Sequence, residues 1–308
     1  MKMKKLAYVF PGQGAQTVGM GRDFNDNSEM LRHFFAEANE TLSMPLSKIM
    51  FEGPEEELKN TANAQPAIFL LECAILTALG ELGYHPSIVA GHSVGEYAAL
   101  VAGGIFDYGH GLWLIKQRGE LMARASAQVP GGMAAVIGLE DDAIRSICGK
   151  TSNTVVVANY NSPGQTVISG EKEALEKLSD ELKQAGAKRI LPLQVSGAFH
   201  SPYMDSASAA LADSIDRVIF ENAKCPVVTN VDGEAHTSGD MIRDNLKKQM
   251  SSSVQWTKTM QTIEKHGVDA IIEIGPGSVL SSLAKRVTPN IETHQVGTWE
   301  QLQSFAKL

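Results

Sequence analysis

One serine stands out for its setting. Ser93 lies in Gly91-His92-Ser93-Val94-Gly95, after the short apolar run Ile88 to Ala90 and directly before a helix-forming stretch from Glu96 to Ala102. Gly-x-Ser-x-Gly between a strand and a helix is the arrangement that pushes a serine hydroxyl out above the end of a sheet, where it can attack a carbonyl carbon. The turn is tight enough that side chains at the two flanking positions would meet backbone, which is why both are glycine. The helix that follows aims its free N–H groups and positive dipole end at any negative charge developing beside the serine. A glycine-rich turn can also carry a serine by chance, so the pattern needs partners elsewhere in the chain.

A serine hydroxyl is a weak nucleophile until a base takes its proton. His200, in Gly197-Ala198-Phe199-His200-Ser201, occupies a connecting segment with small neighbours ahead of a helix from about Asp205 to Val218 and is the candidate base. His92 adjoins the serine, but adjacent side chains in a tight turn diverge, so it reads as a brace. The remaining histidines, His33, His85, His110, His236, His266 and His294, show no metal-ligand spacing, and no metal is expected. Arg118 falls within the apolar stripe Leu114, Ile115, Leu121 and Met122 of a helix from about Tyr108 to Ala127. A guanidinium facing inward cannot shed its charge and needs a carboxylate, either the protein's own or that of an acidic ligand held by its fork of donors. Gln13 lies between Gly12 and Gly14, where its backbone can approach a ligand closely, but the loop has neither a GK[ST] ending nor GxGxxG spacing.

The elements around these residues alternate in the α/β manner. Leu6 to Phe10 reads as a buried strand, Ser28 to Leu42 as an amphipathic helix, Gly53-Pro54 as a helix start, and Gln65 to Leu79 as a helix buried on most sides. Beyond Pro130-Gly131-Gly132 the order becomes strand 133–137, helix 141–148, strand 155–159, strand 166–170, helix 171–184, strand 188–193, the βαββαβ order of a ferredoxin-like unit. The intervening Asn159-Tyr160-Asn161-Ser162-Pro163-Gly164-Gln165 reads as a turn, its asparagines as turn residues. The chain returns with strand 226–230, helices 240–249 and 254–265, strand 270–274, helix 278–286, strand 294–297 and a short final helix. The expected fold is a large hydrolase-like α/β domain with a central mainly parallel sheet, residues 1–127 and 198–308, carrying an inserted small ferredoxin-like subdomain, residues 128–197.

Composition narrows the class of function. With 308 residues, 43% hydrophobic and 20% charged, the chain has the make-up of a globular protein. Its net charge of -8 argues against non-specific nucleic-acid binding. Cys73, Cys148 and Cys225 are isolated in apolar contexts, as small buried hydrophobes in a reducing compartment would be. The basic start Met1 to Lys5 opens like a signal peptide, yet the apolar part ends at Pro11, too short for one. No run approaching the roughly 18 apolar residues of a membrane span is expected, and the location is read as cytoplasmic. Lys188-Arg189 and Lys285-Arg286 are solvated charge or a docking place for an acidic partner.

Seven stretches taken together resemble one family: Val9-Phe10-Pro11-Gly12-Gln13-Gly14, Asn63-Ala64-Gln65-Pro66-Ala67, Gly91 to Tyr97, Gln117-Arg118-Gly119, Asn161 to Gln165, Gly197 to Ser201, and Glu273-Ile274-Gly275-Pro276-Gly277. The sequence is similar to the malonyl-CoA:acyl carrier protein transacylases and the acyltransferase domains of fatty acid and polyketide synthases. The resemblance implies that Ser93 is acylated and His200 is its base, that the backbone N–H groups of Gln13 and Val94 form an oxyanion hole, and that Arg118 binds the malonyl carboxylate. It implies that Phe199 packs beside the acyl group and that a backbone carbonyl near Gln249, not a carboxylate, orients His200. The implied substrates are malonyl-CoA and phosphopantetheinylated acyl carrier protein, with no cofactor, in an enzyme supplying fatty acid biosynthesis; no nucleic-acid or membrane partner is expected from the charge and apolar runs, and the chain is expected to be a monomer. The family's usual proline before Val-x-Trp is Ser253 here. Other readings are a trans-acting polyketide-synthase malonyltransferase, an α/β-hydrolase thioesterase with a carboxylate as third member, and a non-catalytic binding protein on the same scaffold.

Overall fold

The computed structural model describes residues 5–151 and 154–307. Met1 to Lys4 of the basic start lie outside them. In chain order, β1 (Leu6–Phe10) precedes α1 (Arg22–Asn27), α2 (Glu29–Leu42), α3 (Leu46–Glu52), α4 (Glu55–Lys59) and α5 (Thr61–Glu81). Then come β2 (Ile88–Gly91), α6 (Gly95–Ala102) and α7 (Tyr108–Gln128), followed by β3 (Gly131–Ile137), α8 (Asp141–Cys148), β4 (Val155–Ser162), β5 (Gln165–Glu171), α9 (Lys172–Gln184) and β6 (Arg189–Pro192). The last part holds α10 (Asp205–Ile215), β7 (Val227–Val228), β8 (Ala235–His236), α11 (Gly239–Gln249), α12 (Trp256–His266), β9 (Ala270–Ile274), α13 (Val279–Val287), β10 (Glu292–Val296) and α14 (Trp299–Phe305).

The central sheet has the order β10-β9-β1-β2-β7-β8 and is parallel except for the β7–β8 pair at one edge. Every residue of β1, β2 and β9 is buried, as parallel strands covered on both faces must be. Alternation along β1 sorts the core into two layers. Leu6, Tyr8 and Phe10 face the helices that precede α8, whereas Ala7 and Val9 face Trp256, Met260 and Ile263 of α12 with Leu280 and Leu283 of α13. A separate antiparallel sheet, β4-β5-β3-β6, buries its own cluster, including Val136, Val157 and Ile168, under Ile144 of α8 and Leu178 of α9.

Local differences from the sequence reading have physical causes. α5 begins at Thr61, not at Gln65, because the Asn60 side chain accepts from Ala62 N (3.0 Å) and caps a helix that runs through Pro66. α5 is also long and apolar enough, at mean hydropathy 1.4, to cross a membrane by composition alone, contrary to the expectation that no run comes close; 78% of that window is buried inside the protein. Residues 159–165 are not a turn throughout. β4 continues through Asn159 and Asn161 to Ser162, with two register shifts, and β5 resumes at Gln165.

Candidate active site

The turn after β2 is built as its glycines require. A Cβ on Gly91 would lie 1.9 Å from the Gly95 carbonyl carbon, and one on Gly95 would lie 2.1 Å from Phe10 O. Both are far inside contact distance, so β1, β2 and α6 meet backbone to backbone. Ser93 takes φ 53°, a left-handed conformation that an L residue adopts only when its surroundings hold it there. Asn230, just past β7, supplies part of that hold: its Oδ1 accepts from Ser93 N (2.7 Å) and its Nδ2 donates to Gly91 O (2.6 Å).

His200 also has positive φ, 55°, and its ring meets the serine across the sequence, with Nε2 2.8 Å from Ser93 Oγ. Its Nδ1 faces Gln249 O and Ser252 O, each at 3.1 Å. Carbonyls only accept, so Nδ1 must carry the hydrogen and Nε2 is left as the acceptor for the serine hydroxyl. Among the described residues no carboxylate bonds His200, which sets the site apart from a Ser-His-Asp triad. Burial, then the charges of Arg118 and His92, pushes the imidazole down to about 3, so it rests neutral with its Nε2 lone pair on the serine hydroxyl.

Arg118 lies behind the serine, fully buried. Its Nη2 donates to Ser93 Oγ (3.0 Å) and Gln249 Oε1 (3.0 Å), and its Nη1 to Gln65 Oε1 (2.7 Å). Each partner is neutral. Of the two readings for an inward arginine, a direct ion pair with a protein carboxylate is not what the fold provides. Among the described residues Arg118 pairs with none, and its Nε has no hydrogen-bond partner.

A cavity of about 270 Å³ opens over Ser93 and His200, between the central sheet and the antiparallel one. Gln13, Phe199 and Met122 line it from the large side, and Asn159, Asn161 and Val167 from β4 and β5. Neither Gln13 N nor Val94 N donates to a protein acceptor among the described residues. Phe199 is buried at the wall. His92 braces the turn: its ring packs on Trp256 at 5.3 Å, and its Nε2 lies 2.9 Å from Asn161 Oδ1. Asn159 and Asn161, taken as turn residues, are therefore strand residues at the cavity.

Sequence reasoning placed Ser93, His200 and Arg118 together, and they meet. It missed the Gln249 side chain, whose Nε2 donates to Ser93 O (2.7 Å) and Glu96 Oε2 (2.7 Å) while its Oε1 takes Arg118. It also missed Asn230 and Glu96. Contacts between residues more than a hundred positions apart leave no periodic trace to find.

A mixed α/β fold with a mainly parallel sheet, carrying a serine in a strand-to-helix turn and an imidazole in reach, is the layout of an acyl-transfer protein. The family model described as the acyl transferase domain matches residues 7–302. Malonyl CoA-acyl carrier protein transacylase of Bacillus subtilis (strain 168) is 40% identical over 304 residues, covering 98% of this chain and 96% of its own length. The Escherichia coli (strain K12) protein of the same name is 41% identical over 292 residues, 94% of each chain. Among solved structures, an acyl carrier protein S-malonyltransferase from Vibrio cholerae superposes with TM-score 0.93 at 40% identity, covering 98% of this chain and 99% of that one. The solved complex of a type II PKS acyl-carrier protein with its malonyl-transacylase gives TM-score 0.94 at 40% identity with the same coverage. The chain belongs to the malonyl-CoA:acyl carrier protein transacylase family.

Proposed function

We propose that this enzyme transfers the malonyl group from malonyl-CoA to the phosphopantetheine thiol of acyl carrier protein through a malonyl ester on Ser93, supplying fatty acid biosynthesis. The observation that carries the reading is the pairing of Ser93 Oγ with His200 Nε2 at 2.8 Å while Arg118 reaches the same hydroxyl at 3.0 Å. His200 takes the hydroxyl proton as Oγ attacks the thioester carbon. The oxyanion then meets Gln13 N–H and Val94 N–H at the start of α6, a kind of hole whose loss of one donor costs on the order of 10²- to 10³-fold in rate. When the C–S bond breaks, His200 returns the proton to the departing CoA sulfur. The carrier's thiol runs the same steps in reverse and collects the malonyl group, so the two half-reactions alternate.

The malonyl carboxylate takes a place at Arg118, exchanging for that arginine's bond to the serine hydroxyl. Removing one partner of a buried charge pair costs about 3 to 5 kcal/mol, so an acetyl group, which brings no carboxylate to Arg118, is disfavoured by roughly 10²- to 10³-fold relative to malonyl. Phe199 bounds the acyl group's central carbon, and Gln249 and Ser252 orient His200 through their carbonyls. We assign residues 128–197 to a small ferredoxin-like subdomain and residues 1–127 with 198–308 to the large hydrolase-like domain, a reading supported by the separate sheet order and apolar cluster. We propose that the enzyme acts as a monomer and without a cofactor. Its three free cysteines fit the cytoplasm. The test is a panel of malonyl-, methylmalonyl-, acetyl- and succinyl-CoA, each with and without phosphopantetheinylated carrier, with mass spectrometry of the enzyme after brief exposure to malonyl-CoA. Malonyl transfer to the carrier and an adduct on Ser93 are expected. Net hydrolysis, or an adduct elsewhere, would overturn the reading.

A further inference from the structure

Glu96 touches no part of the cavity, and the reaction as described does not use it. Its side chain is nevertheless fully buried one residue into α6, within the serine turn itself. One amide stands between it and Arg118: Gln249 accepts from the guanidinium at Oε1 (3.0 Å) and donates to Glu96 Oε2 at Nε2 (2.7 Å). The other carboxyl oxygen is approached by Asn230 N at 3.4 Å. Thus an acid and a base removed from water are coupled through a neutral relay and do not touch. An isolated charge of either sign would be costly at that depth. With Glu96 ionised the pair sums to zero.

A ligand carboxylate arriving at Arg118 disturbs that balance, because two carboxylates then share one buried guanidinium. The excess negative charge is removed most cheaply by protonating the carboxyl that is not in contact with the arginine. We propose that Glu96 is the resident counter-charge of Arg118 and binds one proton from solvent when the substrate's carboxylate reaches that arginine, an inference that rests on the function proposed above. Glu96 is a positioning residue in this scheme. It sets the Gln249 amide, and through it the guanidinium, without touching substrate.

The groups facing Glu96 leave it as the one that changes charge near neutral pH. Burial pushes Tyr97, its neighbour on α6, well up. At Asp232, beyond β7, burial is outweighed by hydrogen bonds from Glu234 N, Thr229 and His236, which keep it below the usual range. His200 is driven down to about 3 and His92 is lowered by burial. Glu96 itself is raised to about 7, mainly by burial, against the opposing pull of Gln249, Asn230 and Arg118.

The experiment is calorimetry of malonyl-CoA binding to a Ser93→Ala variant, which cannot be acylated, in buffers of differing ionisation heat at about pH 8. Proton uptake approaching one is expected with malonyl-CoA and none with acetyl-CoA or CoA, which bring no carboxylate to Arg118. Malonyl-CoA affinity should fall by up to about tenfold per pH unit above neutrality. Adding Glu96→Gln should abolish both the uptake and the pH dependence. Equal uptake in the Glu96→Gln variant, or no uptake in Ser93→Ala alone, would overturn the proposal. If Glu96→Gln does not fold, infrared difference spectra of Ser93→Ala decide: a new protonated-carboxyl band on adding malonyl-CoA supports the proposal, and its absence removes it. Failure of malonyl-CoA to bind Ser93→Ala at all would remove the functional reading and this inference together. Binding without proton uptake would remove only the inference.

Discussion

The two ends of the pocket are held by different parts of the polypeptide. At the reacting end, His200 is aimed by two backbone carbonyls, and the Ser93 turn is set by backbone packed against Gly91 and Gly95, with the Asn230 and Gln249 amides bonded to its backbone. At the recognising end, Arg118 is aimed by side chains alone: Gln65, Gln249 and the serine hydroxyl. Backbone partners persist when a side chain is exchanged, whereas side-chain partners do not. The contrast teaches that the imidazole is aimed by backbone, while preference for a charged acyl group rests on a few replaceable residues around one buried cation.

Substitutions that separate the two ends should differ in size and in kind. Ser93→Ala and His200→Ala should each lower transfer by on the order of 10⁴- to 10⁶-fold, and the double variant should be no worse than either, as for residues acting as a unit. Single-turnover kinetics checks this; additive losses would mean that the two do not act together. Arg118→Ala should cut malonyl transfer by roughly 10²- to 10³-fold while leaving acetyl transfer little changed. Retention of full malonyl preference would place recognition elsewhere. Gln249→Ala keeps the carbonyl that orients His200 and loses only the amide. A hydrogen bond to a charged group is worth about 1.5 to 3 kcal/mol, so the malonyl-to-acetyl ratio should fall by about 10- to 100-fold, on top of a smaller loss that both acyl groups share through the amide's bond to Ser93 O (2.7 Å). An equal loss for both acyl groups would mean that the side chain serves only the reacting end.

The same division explains how much could be read beforehand. Helix 141–148 and strand 270–274 have the bounds that periodicity predicts, and βαββαβ order was legible because each short element has its own apolar pattern. Ser93, His200 and Arg118 each allowed a bland reading alone and became legible together, when seven stretches spread along the chain resembled one family. Asn159 and Asn161 were not, since Asn-Ser-Pro-Gly has turn composition and the bulges that carry β4 onward depend on pairing with β5. An arginine in an apolar stripe announces a need for charge balance, but only the fold shows that Arg118 is linked to Glu96 through an amide from α11.

The smallest expected effect tests whether the reacting end truly depends on backbone. Ser253, the position where the family resemblance leads one to expect proline, stands next to Ser252, whose carbonyl faces His200. Its N–H has no protein acceptor among the described residues, so a proline there forfeits no backbone bond. What the serine adds is a bond from Oγ to Val157 O (2.6 Å), tying the segment to β4 alongside the bond from Val254 N to Ala158 O (2.8 Å). Ser253→Ala should therefore lower stability by about 1 kcal/mol, the net worth of one hydrogen bond. Ser253→Pro loses the same bond but gains about 0.4 to 1 kcal/mol by restricting the unfolded chain, and should melt close to the parent. Both variants should keep their turnover within about twofold, because Gln249 O and Ser252 O remain in place at 3.1 Å. A large loss of turnover in either one, with the melting temperature preserved, would show that a side chain sets the imidazole after all and would erase the difference between the two ends.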